Sequence, residues 1–226
     1  MEYHKIDTIY ARDQRGRIIE TQYSRPEFAY LADLEWVFTE KVDGTNIRLS
    51  YDGTPRYLTA THEYIAGRSD NAQIPPHLLT TLIELMRGFR LDVVFETDSM
   101  DVTLYGEGYG AKIQKGGEKY IPDGCSFVLF DVKVGSWWLT REAVLDVGTA
   151  LGIDVVPVVG TGTLADAVKL ARAGFPSARW LGVELAEGLV LRPPVELFDR
   201  GGRRIIAKIK NRDFRGLRHG VSAATS

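Results

Sequence analysis

The stretch Thr39-Glu40-Lys41-Val42-Asp43-Gly44-Thr45-Asn46 places a lysine directly before a tight Asp-Gly turn. Residues 35–39 are rich in β-branched and aromatic side chains, and residues 46–51 alternate between apolar and polar, so both flanks are predicted strands. Lys41 should therefore lie at the end of a strand, with its amine in a cleft. The alternative is an exposed lysine at an ordinary hairpin, since Asp-Gly is a frequent hairpin signal.

Composition indicates a folded protein without a global attraction for polyanions. The chain has 226 residues, 44% of them hydrophobic, and a net charge of -2 from 28 basic and 30 acidic side chains. Its single cysteine, Cys125, cannot form an internal disulfide, and no signal segment opens the chain, so we expect a reducing, cytoplasmic setting. No apolar run approaches the roughly 20 residues that span a bilayer, so we expect no membrane partner.

The order of the predicted elements favours an α+β fold of antiparallel sheets flanked by helices. Three stretches have a helical period: 76–87, 141–151 with Thr140 as the cap, and 164–173 between Thr163 and Gly174. We predict a single domain over residues 1–226, with a polar tail from about residue 219. The predicted strands lie at 35–39, 46–51, 93–97, 102–106, 126–134, 153–159, 188–192 and 203–210.

Other segments bring chemically useful side chains. Residues 203–210 alternate, so Lys208 and Lys210 should project from one face; a solvated edge strand is the alternative. Glu187 opens a short apolar strand, and Glu107 lies among glycines. Phe130, within a predicted strand, could face either the core or a ligand. The basic residues from Arg200 to Arg218 are dense enough to form an edge that binds a polyanion.

In order and spacing these segments resemble the covalent nucleotidyltransferases, the superfamily of ATP-dependent DNA ligases, RNA ligases and mRNA capping enzymes. The residues around Lys41 and Asn46 are most similar to RNA ligases of the phage and kinetoplastid-editing type. DNA ligases and capping enzymes usually have Arg where Asn46 stands, and many of these RNA ligases have His at the position of Asp43. The segments similar to motifs I, III, IIIa, IV and V are Lys41-Val42-Asp43-Gly44, Gly106-Glu107, residues 127–132, Glu187-Gly188-Leu189-Val190 and Lys208-Ile209-Lys210.

The resemblance implies a role for each residue. Lys41 would attack the α-phosphate of ATP, which requires a neutral amine and hence a pKa lowered by desolvation or nearby positive charge. Lys208 would contact the α-phosphate with help from Lys210, and Glu187 would help to bind Mg²⁺ or Mn²⁺. The remaining cofactor contacts implied are Glu107 to the ribose, Phe130 stacked on adenine, Arg68 to the ribose or a nucleic-acid phosphate, and Thr39, Glu40 and Asn46 around the nucleotide.

The function implied is that of an ATP-dependent RNA ligase. Lys41 would take AMP from ATP and pass it to a 5′-phosphate end, and a 3′-hydroxyl would then displace it. Only 16 residues follow Lys210, so we expect no OB-fold domain after the last motif, which favours an RNA ligase over DNA ligases and capping enzymes. A minimal DNA ligase, another polynucleotide adenylyltransferase and a non-catalytic nucleotide- or RNA-binding module remain alternatives. An accessory protein is a further expected partner, besides RNA.

Overall fold

The computed structural model describes residues 2–51, 64–95, 101–179 and 185–214. These fall into two compact units that interleave along the chain. The first unit takes the described residues of 1–4, 42–156 and 179–181, and the second unit takes those of 5–41, 157–178 and 182–226. Whether the whole chain behaves as a single domain stays a prediction. The predicted polar tail lies outside the described residues.

The elements match an α+β fold, as predicted. The helices are α1 (Pro26–Tyr30), α2 (Pro76–Arg87), α3 (Leu91–Val94), α4 (Arg141–Leu151) and α5 (Leu164–Ala173), with 3₁₀ turns at Gly117–Lys119 and Asn211–Phe214. The strands are β1 (Asp7–Thr8), β2 (Tyr10–Arg12), β3 (Ile18–Tyr23), β4 (Trp36–Lys41), β5 (Thr45–Tyr51), β6 (Ile65–Gly67), β7 (Val102–Gly110), β8 (Cys125–Val134), β9 (Trp137–Trp138), β10 (Asp154–Val155), β11 (Val158–Gly162), β12 (Gly188–Arg192) and β13 (Ala207–Lys210).

The first unit is built on a sheet with the order β10-β8-β7-β5-β6, and β9 pairs with β8 on the side. β5, β6, β7 and β8 pair antiparallel, whereas β10 joins β8 in parallel. One face carries the core of the unit, because α2 and α4 bury their apolar stripes against it. The buried residues of this core include Ile47, Leu49, Leu78, Leu82, Leu104, Phe127, Leu129, Val144 and Val147. The opposite face carries a smaller apolar cluster, which includes Tyr109 of β7 and Val128 of β8.

The second unit is built on a sheet with the order β1-β13-β12-β4-β11. β1 pairs with β13 in parallel, and the other neighbours are antiparallel. α5 and the short α1 cover one face, and the buried residues of that core include Phe28, Trp36, Phe38, Ala167, Leu189, Leu191, Ala207 and Ile209. The alternation predicted for residues 203–210 is confirmed in part, because Ala207 and Ile209 face this core whereas Lys208 and Lys210 are only half-buried.

The three predicted helices are confirmed, and α4 and α5 have the predicted caps. The Thr140 hydroxyl accepts a hydrogen bond from the Ala143 amide at 3.3 Å at the start of α4. Thr163 and Asp166 form a reciprocal capping box at the start of α5, and each makes a hydrogen bond to the backbone of the other. Gly174 ends α5 with φ of 79°, a backbone conformation that costs glycine little. Local side chain chemistry thus fixes these boundaries.

Some predicted strands differ from the structure. The strand at 93–97 is wrong over its described part, because Leu91–Val94 is helix α3 with Leu91 in the core of the first unit. Residues 96 and 97 lie outside the described residues. The prediction failed because a short apolar run does not distinguish a buried helix from a strand. Residues 153–159 form two strands separated around Pro157, which lacks an amide donor, and the last strand begins only at Ala207. No element was predicted before residue 35, where β1 to β3 and α1 lie.

We predict that Gly106→Ala destabilises the first unit. A Cβ at Gly106 in β7 would lie 2.2 Å from Cζ of Phe127 and 2.4 Å from the Val128 carbonyl oxygen. Overpacking of this kind lowers the free energy of unfolding by about 1–3 kcal/mol. Gly160→Ala is the control, because its nearest atom, Cδ2 of Phe38, would be at 3.6 Å. Urea titrations of the two variants should separate them, and equal stabilities would contradict the packing described.

Candidate active site

The strand register of the second unit brings the predicted lysines to one face. Gly188 in β12 lies opposite Lys41 in β4 on one side and opposite Lys210 in β13 on the other. Directly opposed residues project from the same face of a sheet, so the two lysines flank the glycine at a backbone spacing of about 10 Å. A Cβ at Gly188 would lie 2.2 Å from the Ile209 carbonyl oxygen, so this position requires glycine.

One carboxylate is shared between these two lysines. Nζ of Lys41 lies 2.5 Å from Oε2 of Glu187, and Nζ of Lys210 forms an ion pair with Oε1 of the same carboxylate. Burial raises the pKa of Glu187, but the ammonium groups of Lys41 and Lys210 more than offset it, so its pKa lies below the usual value. Glu187 is therefore an anion held between two cations.

Lys208 lies in the next row of the same face. It is opposite Val190 in β12, and Val190 is in turn opposite Thr39 in β4. Burial lowers the pKa of Lys208, and the nearby charges of Lys41, Lys210 and Lys5 lower it further, against the opposing effect of Glu187. This face, which we call the lysine face, carries Lys41, Lys208 and Lys210. Its positive charge exceeds what Glu187 neutralises, which suits it to an anionic ligand.

Thr39 and Glu40 are both buried, and each makes hydrogen bonds inside the second unit. The hydroxyl of Thr39 donates to the Val190 carbonyl oxygen at 3.2 Å. The carboxylate of Glu40 accepts hydrogen bonds from the Ser177 hydroxyl and from the Ala178 amide, the latter at 2.9 Å. The Glu40 side chain therefore anchors the segment after α5, a role that the sequence did not predict. Its expected place beside a nucleotide base stays a prediction.

In the first unit, Asn46 and Glu107 are directly opposite each other on β5 and β7. Both project from the sheet face that α2 and α4 leave uncovered, because Ile47 and Leu104 face the helices. The Asn46 side-chain oxygen is buried without a hydrogen-bond partner among the residues that the structure describes. A buried acceptor of this kind is costly unless a ligand or water satisfies it. The position suits a ligand with a hydroxyl or amine donor.

Phe130 lies in a β-bulge of β8. Tyr105 of β7 pairs with Asp131 and the next residue, Gly106, pairs with Leu129, so Phe130 is the extra residue between them. A bulge redirects a side chain and often lies beside a functional site. The ring is half-buried and packs edge-on against Tyr3, with 5.1 Å between ring centroids. Phe130 is thus outside the core between the sheet and the helices, which leaves its predicted stacking role open.

Arg68 is exposed, directly after β6, in a loop held by a second arginine. Arg48 of β5 is buried, and its Nε donates to the Gly67 carbonyl oxygen at 2.7 Å. Its Nη2 lies 2.6 Å from Oδ1 of Asp70 and lowers the pKa of that carboxyl. Arg48 therefore fixes both ends of the loop that carries Arg68. Sequence reasoning missed Arg48, although a charged residue between Ile47 and Leu49 in an alternating strand is a signal of a polar face.

The structure thus brings Lys41, Glu187, Lys208 and Lys210 together within the second unit, where Thr39 and Glu40 also lie. Asn46, Arg68, Glu107 and Phe130 belong to the first unit. Within the described ranges, no group of three or more His, Cys, Asp or Glu side chains is arranged to hold a metal ion. Among the described residues, none of the helices combines the length and apolar character needed to cross a membrane.

Comparison with solved structures shows the same fold in RNA ligases. A variant of the Naegleria gruberi RNA ligase solved with ATP and Mn has a TM-score of 0.59 and 18% identity, over 93% of this chain and 56% of that one. The enzyme solved with pyrophosphate has a TM-score of 0.59 and 17% identity, over 95% of this chain and 63% of that one. A variant solved with AMP and Mn has a TM-score of 0.57 and 16% identity, over 93% of this chain and 62% of that one. The chain therefore spans about three fifths of the length of these proteins. No curated protein sequence matches it.

The sequence itself carries the family signature. The model of the RNA ligase family matches residues 34–210, which is more than half of the chain. This range includes Lys41, Glu187, Lys208 and Lys210. The chain belongs to the RNA ligase family.

Proposed function

We propose that the chain is an ATP-dependent RNA ligase that joins 5′-phosphate and 3′-hydroxyl ends through a lysyl-AMP intermediate. The observation that carries the proposal is the ion triad in which Lys41 and Lys210 share the carboxylate of Glu187 across Gly188. An amine placed among cations, with a single carboxylate between them, suits attack on a phosphate. Related folds solved with ATP, AMP and pyrophosphate support this choice of substrate.

In the first step, Lys41 acts as the nucleophile. Its nitrogen forms a bond to the α-phosphorus of ATP, the bond from that phosphorus to the bridging oxygen breaks, and pyrophosphate leaves with the electron pair. Nζ of Lys41 must lose its proton, whereas the contact with Glu187 favours the ammonium form. Anything that draws Glu187 away from Lys41 therefore favours the reactive amine.

A divalent cation fits this role of Glu187. Mg²⁺ and Mn²⁺ are commonly bound by one or two carboxylates together with substrate phosphates, and Glu187 is a half-buried anion with its pKa held low. When bound, the cation would neutralise charge on the phosphate oxygens as pyrophosphate leaves. A cation on Glu187 would also compete with the ammonium groups of Lys41 and Lys210 for the same oxygens.

Lys208 stabilises the reacting phosphate, with assistance from Lys210. Preorganised charges aimed at a reacting phosphate contribute most when they are partly desolvated, and Lys208 is half-buried among other cations. In the first unit, Glu107 and Asn46 take the ribose, Phe130 stacks on the adenine, and Arg68 contacts a sugar or phosphate. Thr39 and Glu40 border the base, with the side chain of Glu40 acting through its hold on Ala178.

In the second and third steps, AMP passes to the 5′-phosphate of an RNA end and the 3′-hydroxyl of another end displaces it. We place this activity in the cytoplasm, with an accessory protein as a further partner.

Alternatives are a minimal DNA ligase, another adenylyltransferase and a binding module without turnover. Incubation with α-labelled ATP should give an acid-labile, base-stable protein adduct, and joining should be faster on RNA than on DNA. Labelling from GTP or exclusive sealing of DNA nicks would select an alternative, and the absence of any adduct would select the binding module.

We predict that Lys41→Arg abolishes the adduct. Arginine keeps the positive charge, and with it the attraction to Glu187, but it does not become a neutral nucleophile near neutral pH. The measurement is retention of label from α-labelled ATP on a denaturing gel. Lys169→Arg, at an exposed position in α5, is the control and should label like the wild type. A labelled Lys41→Arg protein would assign the nucleophile to another residue.

We predict that Lys208→Ala lowers the rate of adduct formation by about a hundredfold or more, as expected for the loss of one preorganised contact to a reacting phosphate. Its unfolding free energy should change by only about 0.5 kcal/mol, since the side chain is not part of the core. Lys169→Ala is the control for the loss of one lysine. Single-turnover labelling and a thermal melt test both points, and near-normal labelling would support the solvated edge-strand alternative.

We predict that Glu187→Gln removes one source of acid sensitivity. Because the folded-state pKa of Glu187 lies below its unfolded value, its contribution to stability is complete above the ordinary Glu pKa of about 4.3 and is lost as the pH falls through the folded-state pKa. The wild type should therefore lose more stability than Glu187→Gln between about pH 5 and pH 3. Urea titrations across this range, with Glu84→Gln on the exposed side of α2 as control, measure the difference. Parallel curves for the wild type and Glu187→Gln would disprove the ion triad.

A further inference from the structure

A basic groove lies in the second unit, beside the lysines of β13. It is a cavity of about 660 Å³ with six basic and two acidic side chains in its lining, in a chain whose net charge is -2. The lining comes from the segment around β1, the hairpin of β2 and β3, β13, and the 3₁₀ turn that follows. Its charged members are Lys5, Asp7, Arg12, Arg17, Lys208, Lys210, Arg212 and Asp213. We call this feature the hairpin groove.

Part of the groove is held rigidly. Both carboxylate oxygens of Asp213 accept hydrogen bonds from Nη2 of Arg12, at 2.9 and 3.0 Å, and one of them also accepts from the Lys210 amide at 3.1 Å. Nη1 of Arg12 donates to the Gly16 carbonyl oxygen at 2.6 Å, and Arg17 is paired with Asp13. Asp213 is thus already neutralised, and the hairpin is tied to the turn after β13.

Three other cations of the groove take no part in the ion pairs of the described residues. Lys5, Lys208 and Arg212 form no ion pair with any residue that the structure describes. β1 lies parallel to β13, with Thr8 opposite Lys208. The segment with Lys5 therefore runs beside the strand with Lys208 and Lys210. The positive charge of Lys5 contributes to the lowered pKa of Lys208. The groove and the lysine face therefore form one continuous region of positive charge.

We infer that the hairpin groove binds the phosphates of a polynucleotide strand next to the end that is to be joined, an inference that rests on the proposed ligase function. Phosphodiester groups are contacted mainly by Arg and Lys, and such contacts position a strand without reading its sequence. The uncharged lining of Ile6, Thr8 and Ile18 suits the sugars between phosphates.

Size argues against the leaving pyrophosphate of ATP as the main occupant. Pyrophosphate has nine non-hydrogen atoms, and even at about 30 Å³ for each, the volume of a water molecule, it would fill under half of the cavity. A cavity of this volume is in the range that accommodates a ligand of several linked groups. A strand with two or more phosphates fits the groove better than a small anion.

The basic residues from Arg200 to Arg218, which the sequence predicts to form one polyanion-binding edge, have different surroundings in the structure. Arg204 is buried and paired with Glu196, and Arg203, paired with Asp199 as Arg17 is with Asp13, does not line the hairpin groove. Arg212 belongs to the hairpin groove. Arg215 and Arg218 lie outside the described residues. Arg203 and Arg212, although both belong to this basic run, are therefore predicted to differ in function.

The test compares two pairs of arginine substitutions. Arg17→Gln with Arg212→Gln removes two charges from the groove, and Arg200→Gln with Arg203→Gln removes two charges elsewhere. The control is closely matched, because Asp13 accepts from the Arg15 and Arg17 amides just as Asp199 accepts from the Gly201 and Arg203 amides. Arg17 and Arg203 also have similar side-chain exposures of 71% and 68%. Arg212→Gln alone serves as a second variant that leaves the hairpin turn untouched.

Binding of a fluorescent, 5′-phosphorylated single-stranded RNA is measured by anisotropy over a salt series, beside lysyl-AMP formation from ATP. The groove variant should bind RNA about tenfold or more weakly, with the slope of log K against log salt reduced by about 1.4 for two lost contacts. Its adduct formation should stay within about twofold of the wild type, and Arg212→Gln alone should show about half of the slope change. The control pair should retain the wild-type slope.

Two results would overturn the inference. Unchanged RNA affinity and slope in the groove variant would mean that the strand is held elsewhere. Retained RNA binding with a raised ATP requirement for adduct formation would assign the groove to the phosphates of ATP. Neither result resembles failure of the proposed function, in which the wild type itself forms no lysyl-AMP adduct whatever its affinity for RNA.

Discussion

The shared carboxylate of Glu187 is the interaction on which the lysine face depends. The antiparallel register of β4, β12 and β13 places Lys41 and Lys210 on either side of Gly188, and Glu187 then lies between two ammonium groups. A shift of one residue in β4 or β13 would turn its lysine toward the core face. The fold therefore specifies the site through its register, and the core residues that alternate with the lysines fix that register.

The same electrostatic balance has opposite effects on stability and reactivity. Glu187 stabilises the folded second unit by neutralising part of the charge of Lys41 and Lys210, yet that contact favours the unreactive ammonium form of Lys41. Lys208 remains without an ion pair among the described residues, and its pKa is lowered first by burial and then by the neighbouring cations. An anionic substrate would supply negative charge for the lysines, and a divalent cation bound with it would compete with Lys41 for the Glu187 carboxylate. Together they would relieve both effects.

Much of this could be predicted from the sequence, because the informative signals are local. The alternation around Ile209 placed Lys208 and Lys210 on one face, and the caps at Thr140 and Thr163 marked the helix starts. What depends on distant contacts could not be predicted. Glu40 is anchored by Ser177, Arg48 holds the Arg68 loop through Asp70, and Arg12 meets Asp213 from the other end of the chain. The β2–β3 hairpin was missed because its strands lack a clear apolar alternation.

The central claim is that Lys41 is the residue that takes the nucleotide. The most direct test is to incubate the wild-type protein with ATP and Mg²⁺ or Mn²⁺, digest it, and locate AMP on the peptides by mass spectrometry. The account predicts AMP on the peptide that contains Lys41 and none on the peptides that contain Lys208 or Lys210. AMP on either of those lysines, or on none of the three, would contradict it.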